Sequence, residues 1–211
     1  MIKIGIDFSL ISPAVTIYKN KTYHFISFFD DYNKDWKNSK SKKFHYHKEL
    51  NNIIRLVPYT RYIDNCNYRL EQESKMKSAK EIAYLMISTL KEYIDNNEQV
   101  IIGLEGFSYG SISSTTLDLA LYNSFLRLKL METFGDDCLQ IISPKEGKKK
   151  LSDKGNANKD LMIQSFIENK LNDDELIKTD FWKYCSSQEL DLKNIKPIDD
   201  IVDSFAILKS L

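Results

Sequence analysis

The chain has 211 residues and a mass of 24.6 kDa, with 30 Lys and Arg balanced by 30 Asp and Glu. That length suits one domain, or one domain with a sizeable insertion, and 42% hydrophobic residues with 12% aromatics can fill a core, which argues against wholesale disorder. Zero net charge argues against binding nucleic acid by bulk basicity alone, but leaves room for a locally basic groove.

Residues 2–6 (IKIGI) read as a buried strand stopping at Asp7. Residues 14–18 and 22–29 are two further β-rich runs, and their short spacing predicts an antiparallel three-strand meander. Residues 30–75 change character, with six Lys, two His and one Asp between Lys34 and Lys48, and read as a long loop or small insertion. Apolar spacing predicts a helix over 78–93, ended by Asn96-Asn97. VIIGLEG (100–106) reads as a central buried strand ending at Glu105-Gly106.

FSYGSISS (107–114) reads as a loop, and Ser113 or Ser114 is placed to cap a helix over 115–134, which stops at Gly135. A short strand is expected at 138–142, then a Lys-rich loop at 145–156 and a helix from about 157 to 171. Residues 172–198 are acidic and irregular, and Pro197 precedes a last helix over 199–211. This order is α/β with a mixed sheet in one domain. Neither GxGxxG nor GxxxxGK[ST] occurs, so dinucleotide and P-loop sites have no support.

Cys66, Cys138 and Cys185 are scattered, with no CxxC pair, which disfavours a disulfide framework or a zinc site and fits a reducing compartment. The N-terminus does not read as a signal peptide, because Asp7 interrupts its short apolar run. No stretch approaches the roughly 18 consecutive apolar residues of a membrane helix. A soluble, cytoplasmic protein with no membrane partner is expected.

Carboxylates sit where strands end. Asp7 closes the first strand and Glu105 the central one, so both are expected at one sheet edge. Asp199, Asp200 and Asp203 open the last helix, at spacings that let Asp203 share a face with either neighbour. Capping alone accounts for Asp199 and Asp200, and a turn role is an even alternative for Asp7. Glu105 is harder to explain structurally, because a carboxylate after VIIGL is costly to bury without a partner. Four converging carboxylates repel, and divalent cations remove the conflict. Two such ions roughly 3.5–4 Å apart can activate water and stabilise the leaving oxygen of a phosphodiester.

The stretches IGIDFSLISPAV (4–15), IIGLEGFSYGS (101–111), SPKEGKKKLSDKGNANKDLM (143–162) and DDIVDSFAIL (199–208) together resemble the RuvC-like Holliday junction resolvases of the RNase H-like superfamily, especially phage and viral members. The third stretch is the most specific. The resemblance implies a five-stranded mixed sheet flanked by helices, usually a homodimer. It implies an endonuclease that nicks paired strands of a four-way DNA junction with Mg²⁺ or Mn²⁺, two ions per site. Asp7, Glu105, Asp200 and Asp203 would be its metal ligands and catalytic acids, with Asp199 an extra acidic neighbour. Lys148 and Lys159 match two basic residues, eleven apart, near the scissile phosphate. Lys149 and Lys150 would grip the DNA backbone, and Phe107 or Tyr109 would be the aromatic wedge at the junction. Residues 115–134 would be the dimer element.

Two alternatives stay open. One is a RuvC-like nuclease acting on other branched DNA or on RNA-containing duplexes, and the other a structure-specific DNA-binding module without cleavage. The presence of all four carboxylates disfavours the second. A solvated Lys-rich loop remains the plain reading for most of the lysines. The neutral total conceals a net +5 over residues 1–159 and −5 over 160–211, which suits a nuclease with its positive charge confined to one face.

Overall fold

A computed structural model describes residues 1–31, 45–95, 98–107, 114–192 and 195–211. Its organising element is a sheet of six strands in the order β4-β3-β2-β1-β5-β6. These are β1 (Ile2–Asp7), β2 (Ala14–Lys19), β3 (Thr22–Asp30), β4 (Arg55–Tyr59), β5 (Val100–Glu105) and β6 (Leu139–Ile142). The expected meander is present, with β1–β2 and β2–β3 antiparallel. The β1–β5, β5–β6 and β3–β4 pairings are parallel.

The helices are α1 (His45–Glu49), α2 (Tyr68–Lys91), α3 (Ser114–Phe134), α4 (Pro144–Ser152), α5 (Lys159–Ile167), α6 (Asp180–Ser187) and α7 (Ile198–Lys209). Period-two alternation in β1 turns Ile2, Ile4 and Ile6 to one face, where they join an apolar cluster with Ala79, Ile82 and Met86 of α2 and Tyr122, Leu126 and Leu130 of α3. On the other face Met162, Phe166, Phe181, Ile201 and Phe205 from α5, α6 and α7 pack over Ala14, Tyr23 and Phe25. Both sheet faces are therefore covered, as a parallel centre requires.

Three expectations need correction. The sheet has six strands rather than five, because β4 lies within the stretch read as a loop. Pro58 lies within β4, which is a sheet edge, where a missing N–H is tolerated. Within the same stretch, α2 starts ten residues earlier than its apolar spacing suggested, with the Asn67 side chain accepting from the Leu70 N–H. The Lys-rich segment is helix α4, not a loop, with Ser143 as N-cap and Pro144 in its first turn. In the acidic stretch, Thr179 caps α6. Most of the Lys34–Lys48 run lies outside the described residues. No described helix is long and apolar enough to cross a membrane.

Candidate active site

The site begins with two glycines. Gly5 and Gly103 are register partners in the parallel β1–β5 pairing, each two residues before a carboxylate. A Cβ on Gly5 would overlap the Ser204 carbonyl oxygen and the Leu208 nitrogen, and one on Gly103 would lie 2.9 Å from Ile207 Cγ2. Helix α7 therefore lies directly on the two central strands. Thr16 Oγ1 and Ser204 Oγ, 2.7 Å apart, fix its position along β2. The first turn of α7 then projects over the carboxyl ends of β1 and β5, where Asp7 and Glu105 emerge.

The four sequence-selected carboxylates are electrostatically coupled there. Burial pushes the Asp7 carboxyl well above its ordinary value, and Asp200, Glu105 and Asp203 push it further. Asp200 is pushed up to about 6, mainly by burial and then by Asp199. Asp203 is pushed up to about 7 by burial, then by Glu105 and Asp200. Glu105 is raised by burial, against a hydrogen bond with Asp7 and the Lys148 ammonium.

Three lysines offset part of this negative charge. Lys148, half-buried on α4, lies near enough to Glu105 and Asp203 for its charge to lower both carboxyls. Lys159, the first residue of α5, donates to Asp199, which is only 3% exposed. Asp199 Oδ1 has no hydrogen-bond partner among the described residues. Lys196 was not singled out in the sequence. It donates to Asp200 and lies 3.6 Å from Asp199. Burial alone would lower the Lys196 pKa, but Asp200 and Asp199 outweigh it and raise it. Ser12, also not anticipated, donates its hydroxyl to Asp200 from the β1–β2 connection.

The other sequence candidates separate in space. Lys149 and Lys150 are exposed, and Lys150 lines a different cavity with Tyr23, Asp173 and Lys209. Phe107 is half-buried with the Arg127 guanidinium 5.0 Å above its ring, which ties it to α3. Tyr109 lies outside the described residues.

Asp7, Glu105, Asp200 and Asp203 offer only oxygen ligands, the donor chemistry of hard divalent cations. No three acidic, histidine or cysteine side chains among the described residues close around one point. Instead, the Lys196 ammonium neutralises Asp200 and Asp199 where a cation would be favoured. The set thus fits a divalent ion in charge and donor type, with side-chain adjustment needed to enclose it.

No family model matches the chain, and no curated protein matches its sequence. Solved structures do match. A Thermus thermophilus RuvC structure superposes with a TM-score of 0.51 at 8% identity, covering 100% of this chain and 92% of that one. A structure of T. thermophilus RuvC in complex with Holliday junction substrate gives a TM-score of 0.51 at 9% identity, with the same coverage. With an antiparallel meander leading into parallel strands and helices on both faces, the chain has a RuvC-like fold.

Proposed function

We propose that this protein is a structure-selective endonuclease that resolves four-way DNA junctions by metal-assisted phosphodiester hydrolysis. One observation carries the reading: Asp7 and Glu105 end two paired central strands, and the helix packed on those strands brings Asp200 and Asp203 to the same sheet edge, with Lys148 close enough to lower the Glu105 and Asp203 carboxyls. The fold similarity to RuvC supports the substrate class, since one matching structure holds a Holliday junction substrate.

In this mechanism Asp7, Glu105, Asp200 and Asp203 would hold two Mg²⁺ or Mn²⁺ ions, and bound ions would supply water activation and stabilisation of the leaving oxygen. Ser12 and Lys196 orient the Asp200 carboxylate through hydrogen bonds. Lys148 places an ammonium where negative charge grows on the phosphate. Lys159 steadies Asp199 and lies beside the Gly155-Asn156 turn, a position suited to a backbone phosphate. The exposed Lys149 adds sequence-independent grip. Phe107 and Tyr109 are the candidates for contact with unpaired bases at the junction.

A homodimer is part of the proposal, because paired nicks need two sites. Leu117 and Leu128 on α3 are 62% and 55% exposed and stand eleven residues apart, three helical turns, so they share a face suited to a second copy.

The deciding experiment compares a four-way junction, a flap, a linear duplex and an RNA–DNA hybrid as substrates with Mg²⁺. Symmetric paired nicks confined to the junction are expected. Equal cutting of all four would remove the resolvase assignment, and cutting of flaps alone would favour a nuclease for other branched DNA.

A further inference from the structure

A cavity of about 580 Å³ opens beside the acidic cluster, within the roughly 300–1,000 Å³ range of ligand-binding cavities. Asp7, Glu105 and Lys196 form one side of it, and Leu10 and Leu119 give it an apolar wall. Arg61 lines it too, two residues beyond the end of β4. This arginine belongs to none of the stretches that resemble the resolvases, and it follows the strand that the five-strand expectation lacked.

The backbone around Arg61 is pinned. Its own N–H donates to Asp30 Oδ1 at 3.2 Å, and Thr60 Oγ1 donates to Asp31 at 2.8 Å. The Tyr59 hydroxyl donates to the Leu10 carbonyl at 2.7 Å, tying β4 to the β1–β2 connection. The side chain is not similarly satisfied. Its Nε is buried with no hydrogen-bond partner among the described residues, and the Asp30 carboxylate stands 3.9 Å away. Arg55, the first residue of β4, shows what a bracing arginine looks like here, with a two-pronged pair to Glu92 at 2.7 and 2.8 Å. Three-quarters buried on a fixed backbone, and held by Asp30 only through a 3.9 Å ion pair that leaves its Nε without a hydrogen bond, the guanidinium has donor capacity for an incoming anion.

We propose that Arg61 forms a subsite for a DNA backbone phosphate next to the scissile one, with the adjoining sugar and base edge lying along Leu10 and Leu119. The inference rests on the nuclease reading and adds a positioning residue to it. Arg61 acts by fixing the register of the strand over Asp7 and Glu105, and the reaction's charge is handled by other groups.

The test uses Arg61→Gln and Arg61→Lys in the full chain, with a Glu105→Gln background for binding measurements so that the junction is not cut. Arg61→Gln should weaken junction binding about tenfold. The slope of log affinity against log salt should fall by about one, the signature of a single lost phosphate contact. Arg61→Lys should recover part of both, as a point charge without the planar fork. A junction with one methylphosphonate beside the scissile phosphate should bind wild-type Arg61 protein less tightly, yet bind Arg61→Gln no worse than the unmodified junction. Thermal unfolding establishes that each variant is folded, and if the Gln variant is not, the Lys variant and the modified junction still decide. Folded Arg61→Gln with unchanged affinity, salt slope and single-turnover rate overturns the subsite alone. Failure of the unmutated protein to bind or cut any DNA overturns the nuclease reading and the subsite together.

Discussion

Gly5 and Gly103 face each other across the β1–β5 pairing, and α7 rests on the floor they make. The two carboxyl-bearing strand ends and the acidic first turn of α7 meet because nothing larger than hydrogen separates helix from sheet at that level. Each glycine lies two residues before its carboxylate, so it shares a sheet face with that residue and sets the height of the helix above it.

Gly5→Ala is therefore expected to be severe. The added methyl would meet backbone on α7, which cannot rotate away, so the cost should be at or above the upper end of the ~1–3 kcal/mol typical of overpacking. In a domain of this size that lowers the melting temperature by roughly 6 °C or more. Gly103→Ala meets the Ile207 side chain instead and should cost less in stability. A small lift of α7 there would still misplace Asp200 and Asp203, with a loss of about a hundredfold in cleavage rate. Differential scanning calorimetry and single-turnover cleavage separate the two effects. Equal tolerance of alanine at both positions would refute the floor.

How far the site was legible follows from what each residue's neighbours in sequence reveal. Asp7 and Glu105 stood out because each ends an apolar run, and Asp200 and Asp203 because they share a helix face. Lys196 was hidden because it precedes α7 in a stretch without periodicity. Its only local signal was the three- and four-residue spacing to Asp199 and Asp200. Ser12 is 188 residues from Asp200 and gave no local signal at all. Helix α4 was misread because its Lys run and Gly147 look loop-like, although Ser143, Pro144 and Glu146 are start signals for a helix. Gly147 sits where α4 meets α7, its absent Cβ 3.8 Å from Ile207, so tertiary packing decided that segment.

The carboxylate cluster should make the metal-free protein sensitive to alkali. The Asp200 and Asp203 carboxyls are raised to about 6 and about 7 from an ordinary value of 3.8. In the unfolded chain they return to that ordinary value, so the folded state holds protons more tightly. The stability linked to these groups is thus full below about pH 4 and lost as pH rises through 6 and 7. In chelator, melting temperature should fall between pH 5 and 8, and Asp203→Asn should flatten the fall. Adding Mg²⁺ at pH 8 should restore much of it. A metal-free protein whose stability is level or rising over that range, and insensitive to Asp203→Asn, would contradict the coupling.

Lys196→Met tests how that charge is offset without metal. Removing the ammonium leaves the buried Asp200 without its cationic partner and Asp199 with Lys159 alone, and breaking a buried pair in this way costs about 3 kcal/mol. The loss should be largest at pH 8 and smaller at pH 5, where Asp200 takes up a proton. Mg²⁺ should stabilise the variant more than the parent, because a divalent ion then supplies the missing charge. Thermal melts at the two pH values, with and without Mg²⁺, measure all three effects. If Lys196→Met melts like the parent in chelator at pH 8, Lys196 does not compensate the cluster.

Neighbouring lysines on α4 provide the sharpest separation of chemistry from simple attraction. Successive residues on a helix point about 100° apart, so Lys148 can face Glu105 and Asp203 while Lys149 and Lys150 point elsewhere. Lys148→Gln should lower the single-turnover rate about a hundredfold while changing junction affinity only slightly, since its charge is used as the phosphate becomes more negative. Lys149→Gln should leave the rate at saturating protein unchanged and weaken binding slightly, with a shallower salt dependence. Lys150→Gln should do neither, because its cavity is shared with Asp173 and Lys209 rather than with the acids. Rate and affinity measured on one junction with all three variants give a pattern that general basicity cannot reproduce. If the three substitutions slow cleavage equally, α4 is an undifferentiated basic surface and Lys148 has no special place beside the acids.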